Sequence, residues 1–277
     1  AELLFVHNLI EADLRFEAGE RYARLAAAHP DNAQIRREYA GLLAGLGRYD
    51  EAVQQLDGLP LDAPTRMEIV RIHCARQDFA AAERSCRELL SDVPEYGEAR
   101  TILPEILGWR RQWPAAIAEW QKLLDGAPKD VALRTKIAEA RLWSGESARA
   151  LEGFQQLLDE GCTDERVVSG FLDAANGTGA LPERHAHTVR SIAARAREAG
   201  SNDPKFLVRI GGALRRVGEL KDAATMLEAA LKITPEDKQV RLQLADTLHE
   251  LGDYRRADSL YTELLPERAA RTGRKPR

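Results

Sequence analysis

The sequence predicts an all-α protein, a right-handed α-solenoid (superhelix) built from stacked helical hairpins. Three observations predict it. Similar segments recur around an alanine, and the steps from Ala82 to Ala116, Ala116 to Ala150 and Ala223 to Ala257 are each 34 residues. Upstream of these alanines, apolar residues at i, i+1 and i+4 run into a glycine turn, as Leu244, Ala245 and Leu248 do before Gly252, which is the spacing of one amphipathic helix leading into another. Pro30, Pro64, Pro94, Pro128, Pro204 and Pro235 fall between the pairs, where proline suits a turn or helix start and would break a helix interior.

Taken in order, residues 1–32 form a partial N-terminal hairpin, in which ADLRFEAGERYARLAAAHP reads as a second helix. Seven units follow over 33–265, starting at about Ala33, Ala63, Gly97, Val131, Glu165, Pro204 and Lys238, and they are expected to make one continuous solenoid. Their second helices are seeded by GRYDEAVQQL, QDFAAAERSC, QWPAAIAEWQKLL, ESARALEGFQQLL, GELKDAATMLEAAL and GDYRRADSLYTELL. The step from Ala52 to Ala82 is only 30, so the helix or loop near Gly58 and Pro60 should be short. Pro104 falls inside a first helix, which its ring and missing N–H should kink or shift. The unit over 163–203 is irregular: NGTGALPERHAHTVRSIAARAREAG predicts a turn at 177–180 and an elongated second helix. Residues 266–277 form a basic tail carrying Arg268, Arg271, Arg274, Lys275 and Arg277.

One hairpin cannot bury its apolar face alone, so neighbours stack and the core runs along the array. Ala40, Ala138, Gly211 and Ala245 allow close helix approach, while Tyr39, Ile137, Leu244, Leu56, Trp120, Phe154 and Tyr261 fill the gaps. Trp113 is expected in the core as well. At 277 residues, a repeat of 34 corresponds to roughly eight units, where the usual domain size would have suggested about two globular domains.

These units resemble the tetratricopeptide repeat (TPR) family. The unit from Lys238 carries the motif as Leu244, Ala245, Leu248, Gly252, Tyr254, Ala257 and Tyr261; that from Pro204 carries it as Leu207, Ile210, Gly211, Leu214, Gly218, Ala223, Leu227, Ala230 and Pro235. The resemblance spans nearly the whole chain and implies a concave groove lined by the first helices. Residues implied for that groove include Arg37, Arg71, Glu105, Trp109, Glu139, Trp143, Asp173, Arg215, Arg216 and Asp246. Trp109 and Trp143 take the same repeat position, so both should face one stretch of groove as anchors for a partner, or else pack on the next hairpin. Glu105, Glu139 and Asp173 should form an acidic stripe, flanked by Arg37 and Arg71 on one side and by Arg215 and Arg216 on the other. The Lys and Asn pair with which some TPR co-chaperones clamp a C-terminal carboxylate is missing from every unit.

No chemistry-bearing motif appears. Among the six histidines there is no H-E-x-x-H, and a nucleophile elbow, a P-loop and a dinucleotide fingerprint are all missing, so no catalytic residue, metal site or cofactor is expected. Cys74, Cys86 and Cys162 are too few and too scattered for a disulfide framework or a zinc site, and read as small hydrophobes. A net charge of -4 argues against a nucleic-acid partner, and no run approaches the roughly 18 apolar residues of a membrane span. The chain opens on Ala1 without a signal-peptide pattern, which leaves cytoplasm and periplasm both open. The expected function is a noncatalytic scaffold that takes a protein or peptide partner in its groove. Two alternatives stand beside it. The segment AEARLWSGESARALEGFQQLL is similar to units of periplasmic TPR scaffolds in bacterial exopolysaccharide export, which would make polysaccharide a partner; and the end of the array could self-associate with another copy.

Overall fold

The computed structural model describes residues 2–264, over which it contains sixteen helices and no strand. The basic tail expected over 266–277 lies outside the described residues. The chain is an all-α solenoid whose contacts divide it into two compact units, one ending at Lys129 and the other beginning at Asp130.

The first unit holds α1 (Glu2–Glu11), α2 (Arg15–Ala28), α3 (Ala33–Gly45), α4 (Tyr49–Leu56), α5 (Ala63–Ala75), α6 (Phe79–Asp92), α7 (Gly97–Trp109) and α8 (Trp113–Gly126). Helix α2 is the second helix read from the sequence, and it packs against α1, whose Val6 is buried. The shortened spacing before Ala82 falls on α4, which has 8 residues where α6 and α8 have 14. Pro104 does not break its helix: α7 runs on to Trp109 with the proline buried inside it.

The second unit holds α9 (Val131–Trp143), α10 (Ser147–Asp159), α11 (Glu165–Gly177), α12 (Glu183–Glu198), α13 (Pro204–Arg216), α14 (Leu220–Ile233), α15 (Lys238–Leu251) and α16 (Tyr254–Leu264). The stretched hairpin is α11 and α12. Its second helix is 16 residues long and packs on α13, with Val189, Ile192 and Ala193 carrying its buried face.

In both units, each even-numbered helix packs on an odd-numbered neighbour, and successive odd-numbered helices also touch each other. The recurring alanines Ala52, Ala82, Ala116, Ala150, Ala223 and Ala257 are completely buried, because any larger side chain there would push the two helices of a hairpin apart. Trp120, Phe154 and Leu227 fill the space beside them and are buried as expected. Trp113 is not. It opens α8 at the hairpin turn, beside Gly108 of α7, and is only partly buried.

Six first helices start sharply because an Asn or Asp caps them. Asn32, Asp62, Asp130, Asp164, Asp203 and Asp237 each accept a backbone N–H from the first turn, an interaction worth about 1 kcal/mol apiece. Arginines at the fourth position of first helices add a second clasp. Arg36, Arg66 and Arg134 reach the C-terminal ends of α4, α6 and α10 respectively, bonding Asp57 O, Asp92 and Glu160, where a cation also complements the helix dipole. Arg100 lies 34 residues from both Arg66 and Arg134 at the same position of α7, but it pairs with Glu95 ahead of its own helix instead.

The turn inside each regular hairpin needs one left-handed residue. Gly47, Gly145, Gly218 and Gly252 supply it with φ between 77° and 87°, but Gln77 (φ 62°) and Arg111 (φ 59°) hold the same position with a side chain. A left-handed L-residue costs roughly 1–2 kcal/mol, partly offset by the greater unfolded-state entropy of glycine. Gln77→Gly and Arg111→Gly should therefore each raise stability by about 0.5–1 kcal/mol, seen as a higher urea midpoint at unchanged slope. An unchanged midpoint in both variants would show that the turn carries no strain.

Candidate functional site

In the first unit, one of the sequence candidates, Arg71, stands between α5 and α7, while Arg37, Glu105 and Trp109 lie elsewhere on α3 and α7. A pocket of about 370 Å³ between α5 and α7 is lined by Met67, Arg71, Cys74, Glu98, Thr101 and Ile102. Arg71 donates to Glu68 at 2.5 Å and from Nε to Glu98 Oε1 at 2.9 Å, so its charge bridges the two hairpins. Arg37 on α3 makes the corresponding link to α5, with Nη1 3.2 Å from Thr65 Oγ1 and 3.5 Å from Asp62 Oδ2. The hydrogen bonds from Thr65 hold the Asp62 carboxyl below the usual carboxylate range.

Glu68 was not a sequence candidate, and it is the most unusual charge in this region. It is buried on α5 against Gly41 of α3, where a Cβ would lie 2.8 Å from its Oε1. Burial lifts its carboxyl above the ordinary range, outweighing the nearby Arg71. Arg71 is itself held more firmly protonated, because Glu98 supports its charge as well. Gly41 and Glu68 thus trade space, the missing side chain on one helix admitting the carboxylate of the next.

Glu105, in the expected acidic stripe, accepts a hydrogen bond from Trp120 Nε1 at 3.2 Å. Trp109 ends α7 and is 48% exposed, with its ring tilted against Phe79 at a centroid distance of 5.1 Å. One face of the indole is thus seated on the preceding hairpin and the rest is open.

The second unit repeats the scheme with different charges. Glu139 of α9 takes two hydrogen bonds from Arg166 Nη2 on α11, at 2.9 and 2.7 Å. Asp173 of α11 pairs with Arg209 Nε of α13 at 2.9 Å, Arg215 of α13 with Glu250 of α15 at 3.1 Å, and Asp246 accepts from Tyr261 Oη at 2.7 Å. Trp143 ends α9 and is 57% exposed. Asp173, Arg215 and Arg216 line a pocket of about 340 Å³ across α11, α13 and α15.

The expected alternation of bare basic and acidic stretches is therefore largely neutralised within each unit. Most of the charged candidates bond to a neighbouring helix. Ion pairs this exposed contribute only about 0–1 kcal/mol each; their main effect is to set the register of one hairpin on the next. Two of these links follow a rule. The ninth residue of one first helix meets the second residue of the following one, in Arg71 with Glu98 and, with the charges exchanged, in Glu139 with Arg166. Both pairs are 27 residues apart in sequence, a spacing that could have revealed them.

Cys74 and Cys86 lie within one hairpin, on α5 and α6, whereas Cys162 is in the connection from α10 to α11. Burial pushes the Cys74 thiol up to about 11 and the Cys86 thiol to about 12, so both stay protonated at neutral pH and act as packing groups. Cys86 is completely buried, with Sγ 3.4 Å from Ala99 O. Among the described residues no three His, Cys, Asp or Glu side chains come together as metal ligands, and no helix is long and apolar enough to cross a membrane.

Helical hairpins joined by left-handed turns and packed through a recurring small residue define a helical-repeat protein. A family model of the tetratricopeptide repeat matches residues 17–71 and 214–272. The chain carries tetratricopeptide repeats over these stretches. Its fold is similar to that of a tetratricopeptide repeat protein from Parabacteroides merdae, at 15% identity over 89% of this chain and 97% of the other with a TM-score of 0.56. It is also similar to the C-terminal part of a TPR repeat-containing protein from Cytophaga hutchinsonii, at 13% identity over 87% and 98% with a TM-score of 0.67. A third likeness is to PilW, a type IV pilus biogenesis factor, at 13% identity over 75% and 94% with a TM-score of 0.52. No curated protein matches the chain in sequence.

Proposed function

We propose that the chain is a noncatalytic scaffold that holds a segment of a partner protein against the face formed by its first helices. The observation that carries this reading is the placement of Trp109 and Trp143. Each is the last residue of a first helix and each is about half exposed, whereas Trp120 is buried in a second helix. A half-exposed indole leaves apolar surface in water, and aromatic side chains of this kind are the commonest anchors of protein contacts. The charged side chains around them, already paired between hairpins, would form the polar rim that orders the partner segment.

The test uses random peptides displayed and selected on the immobilised protein, then synthesised and titrated. Trp109→Ala should weaken peptides held on the first unit, and Trp143→Ala peptides held on the second, by about tenfold, the loss of roughly 1.4 kcal/mol, with the helical circular dichroism unchanged. Selected peptides that bind both variants as tightly as the parent would sink the assignment of this face.

A further inference from the structure

The ninth residue of the first helix points into the ligand face, and in five hairpins it is charged: Arg71, Glu105, Glu139, Asp173 and Asp246. Two hairpins have glycine there instead. At Gly41 the vacated space is filled by Glu68. At Gly212 it is filled by the amide of Asn176, with its Oδ1 2.6 Å from where a Cβ would stand and its Nδ2 tied to Arg209 O at 3.0 Å, and beside it lies the pocket of about 340 Å³, whose lining carboxylate, Asp173, is engaged by Arg209.

Three guanidinium groups line that pocket, Arg209, Arg215 and Arg216, all from α13. Arg209 spends Nε on Asp173, and Arg215 is engaged by Glu250. Arg216 is exposed and makes no ion pair among the described residues. A guanidinium carries five N–H donors in a planar fork, so most of the donors here lack an acceptor. Val208 and Leu227 supply apolar lining beside them, suited to the methylene stem of a side chain.

Resting on the groove reading above, we infer that this pocket takes a carboxylate of the bound segment, held by the Arg216 fork with Arg209 and Arg215 adding charge. Glycine at position 212 makes room for the Asn176 amide, so no charged side chain from α13 stands at the ninth position to take up the guanidinium donors, as Asp173 on α11 takes up Arg209. The pocket thus sets a sequence preference: an acidic residue in the partner segment opposite α13.

Peptides selected on the parent protein are synthesised with blocked ends, in pairs that differ by Glu→Gln or Asp→Asn, and titrated on the parent, on Arg216→Gln and on Arg149→Gln. Arg149 is an exposed arginine of α10 outside the pocket, so its variant controls for the loss of one positive charge. Neutralising the peptide acid should weaken binding to the parent by about tenfold, and the same exchange should have almost no effect on Arg216→Gln. Equal losses on all three proteins would place the acid elsewhere and overturn the proposal while leaving the groove reading intact. Binding that needs a free peptide terminus instead of the side chain would assign the same carboxylate chemistry to the chain end. If no peptide is selected at all, the groove reading fails and the pocket assignment falls with it.

Discussion

Phe154→Ala should cost about 3–5 kcal/mol, and the loss should fall on the second unit. Phe154 is completely buried in α10, and its ring lies so close to Gly170 of α11 that a Cβ on that glycine would stand 2.4 Å from Cζ. The ring therefore occupies space that only glycine leaves, and joins one hairpin to the next. Removing it opens a cavity at the junction that two rigid helices cannot close. The converse substitution tests the same contact from the other side: Gly170→Ala overpacks it and should cost about 1–3 kcal/mol. The two are coupled. Combined with Phe154→Leu, Gly170→Ala should cost at least about 1 kcal/mol less than it does alone, because the shorter side chain leaves room for the new methyl. In a solenoid, stability is close to a sum of hairpin terms and neighbour terms. Phe154→Ala should thus split or broaden the thermal transition instead of moving it as a whole, with amide protection lost first in α10 and α11. A single sharp transition shifted intact would show that the array melts as one cooperative block.

The repeat length, the helical hairpins and the buried alanines were legible because they recur. A stack of similar hairpins puts the same demand on the same position each time, so Ala82, Ala116 and Ala150 can be recognised by spacing alone. Single events were less legible. Helix α1 was missed, since it has one buried residue, Val6, and its polar and apolar residues do not repeat elsewhere. Trp113 fits an aromatic motif position, yet its place at the head of α8 leaves it partly in water. First-helix positions of two successive hairpins do come together, as Met67, Arg71 and Cys74 beside Glu98 and Thr101 show by lining one pocket. What those charges do was not read, because the partner of Arg71 or Asp173 belongs to another hairpin and is chosen by how two helices pack. Glu68 illustrates the limit. A carboxylate at the sixth position of a first helix looks like ordinary solvated surface until Gly41 on the preceding helix makes a place for it.

Trp120→Ala should be the most damaging substitution in the first unit, again at about 3–5 kcal/mol. Helix α8 buries only Ala116 and Trp120, so the indole provides most of its grip on α7. Its edge approaches Gly108, where a Cβ would be 3.5 Å from Cη2, and its Nε1 donates to Glu105. Apolar packing and the hydrogen bond can be separated. Trp120→Phe keeps much of the ring and loses the donor, so its cost should be nearer about 1 kcal/mol. If the hydrogen bond were the main term, the two variants would be similarly unstable. The position of Glu105 gives the experiment a functional arm. Glu105 and Trp109 share α7, and a loosened α8 would let that helix shift, so Trp120→Ala should weaken peptides that depend on Trp109 even though Trp120 itself is buried. Trp120→Phe should leave their affinity within about twofold, since a difference of about 0.4 kcal/mol is all that a small reorientation of one carboxylate would cause. Amide exchange locates the fault: protection should collapse in α8 and the adjoining turn of α7 while α6, whose Leu89 and Cys86 are completely buried, stays protected. Loss of protection spread evenly over α3 to α8 would mean that Trp120 holds the whole unit, and that the hairpins of this protein do not act as separable springs.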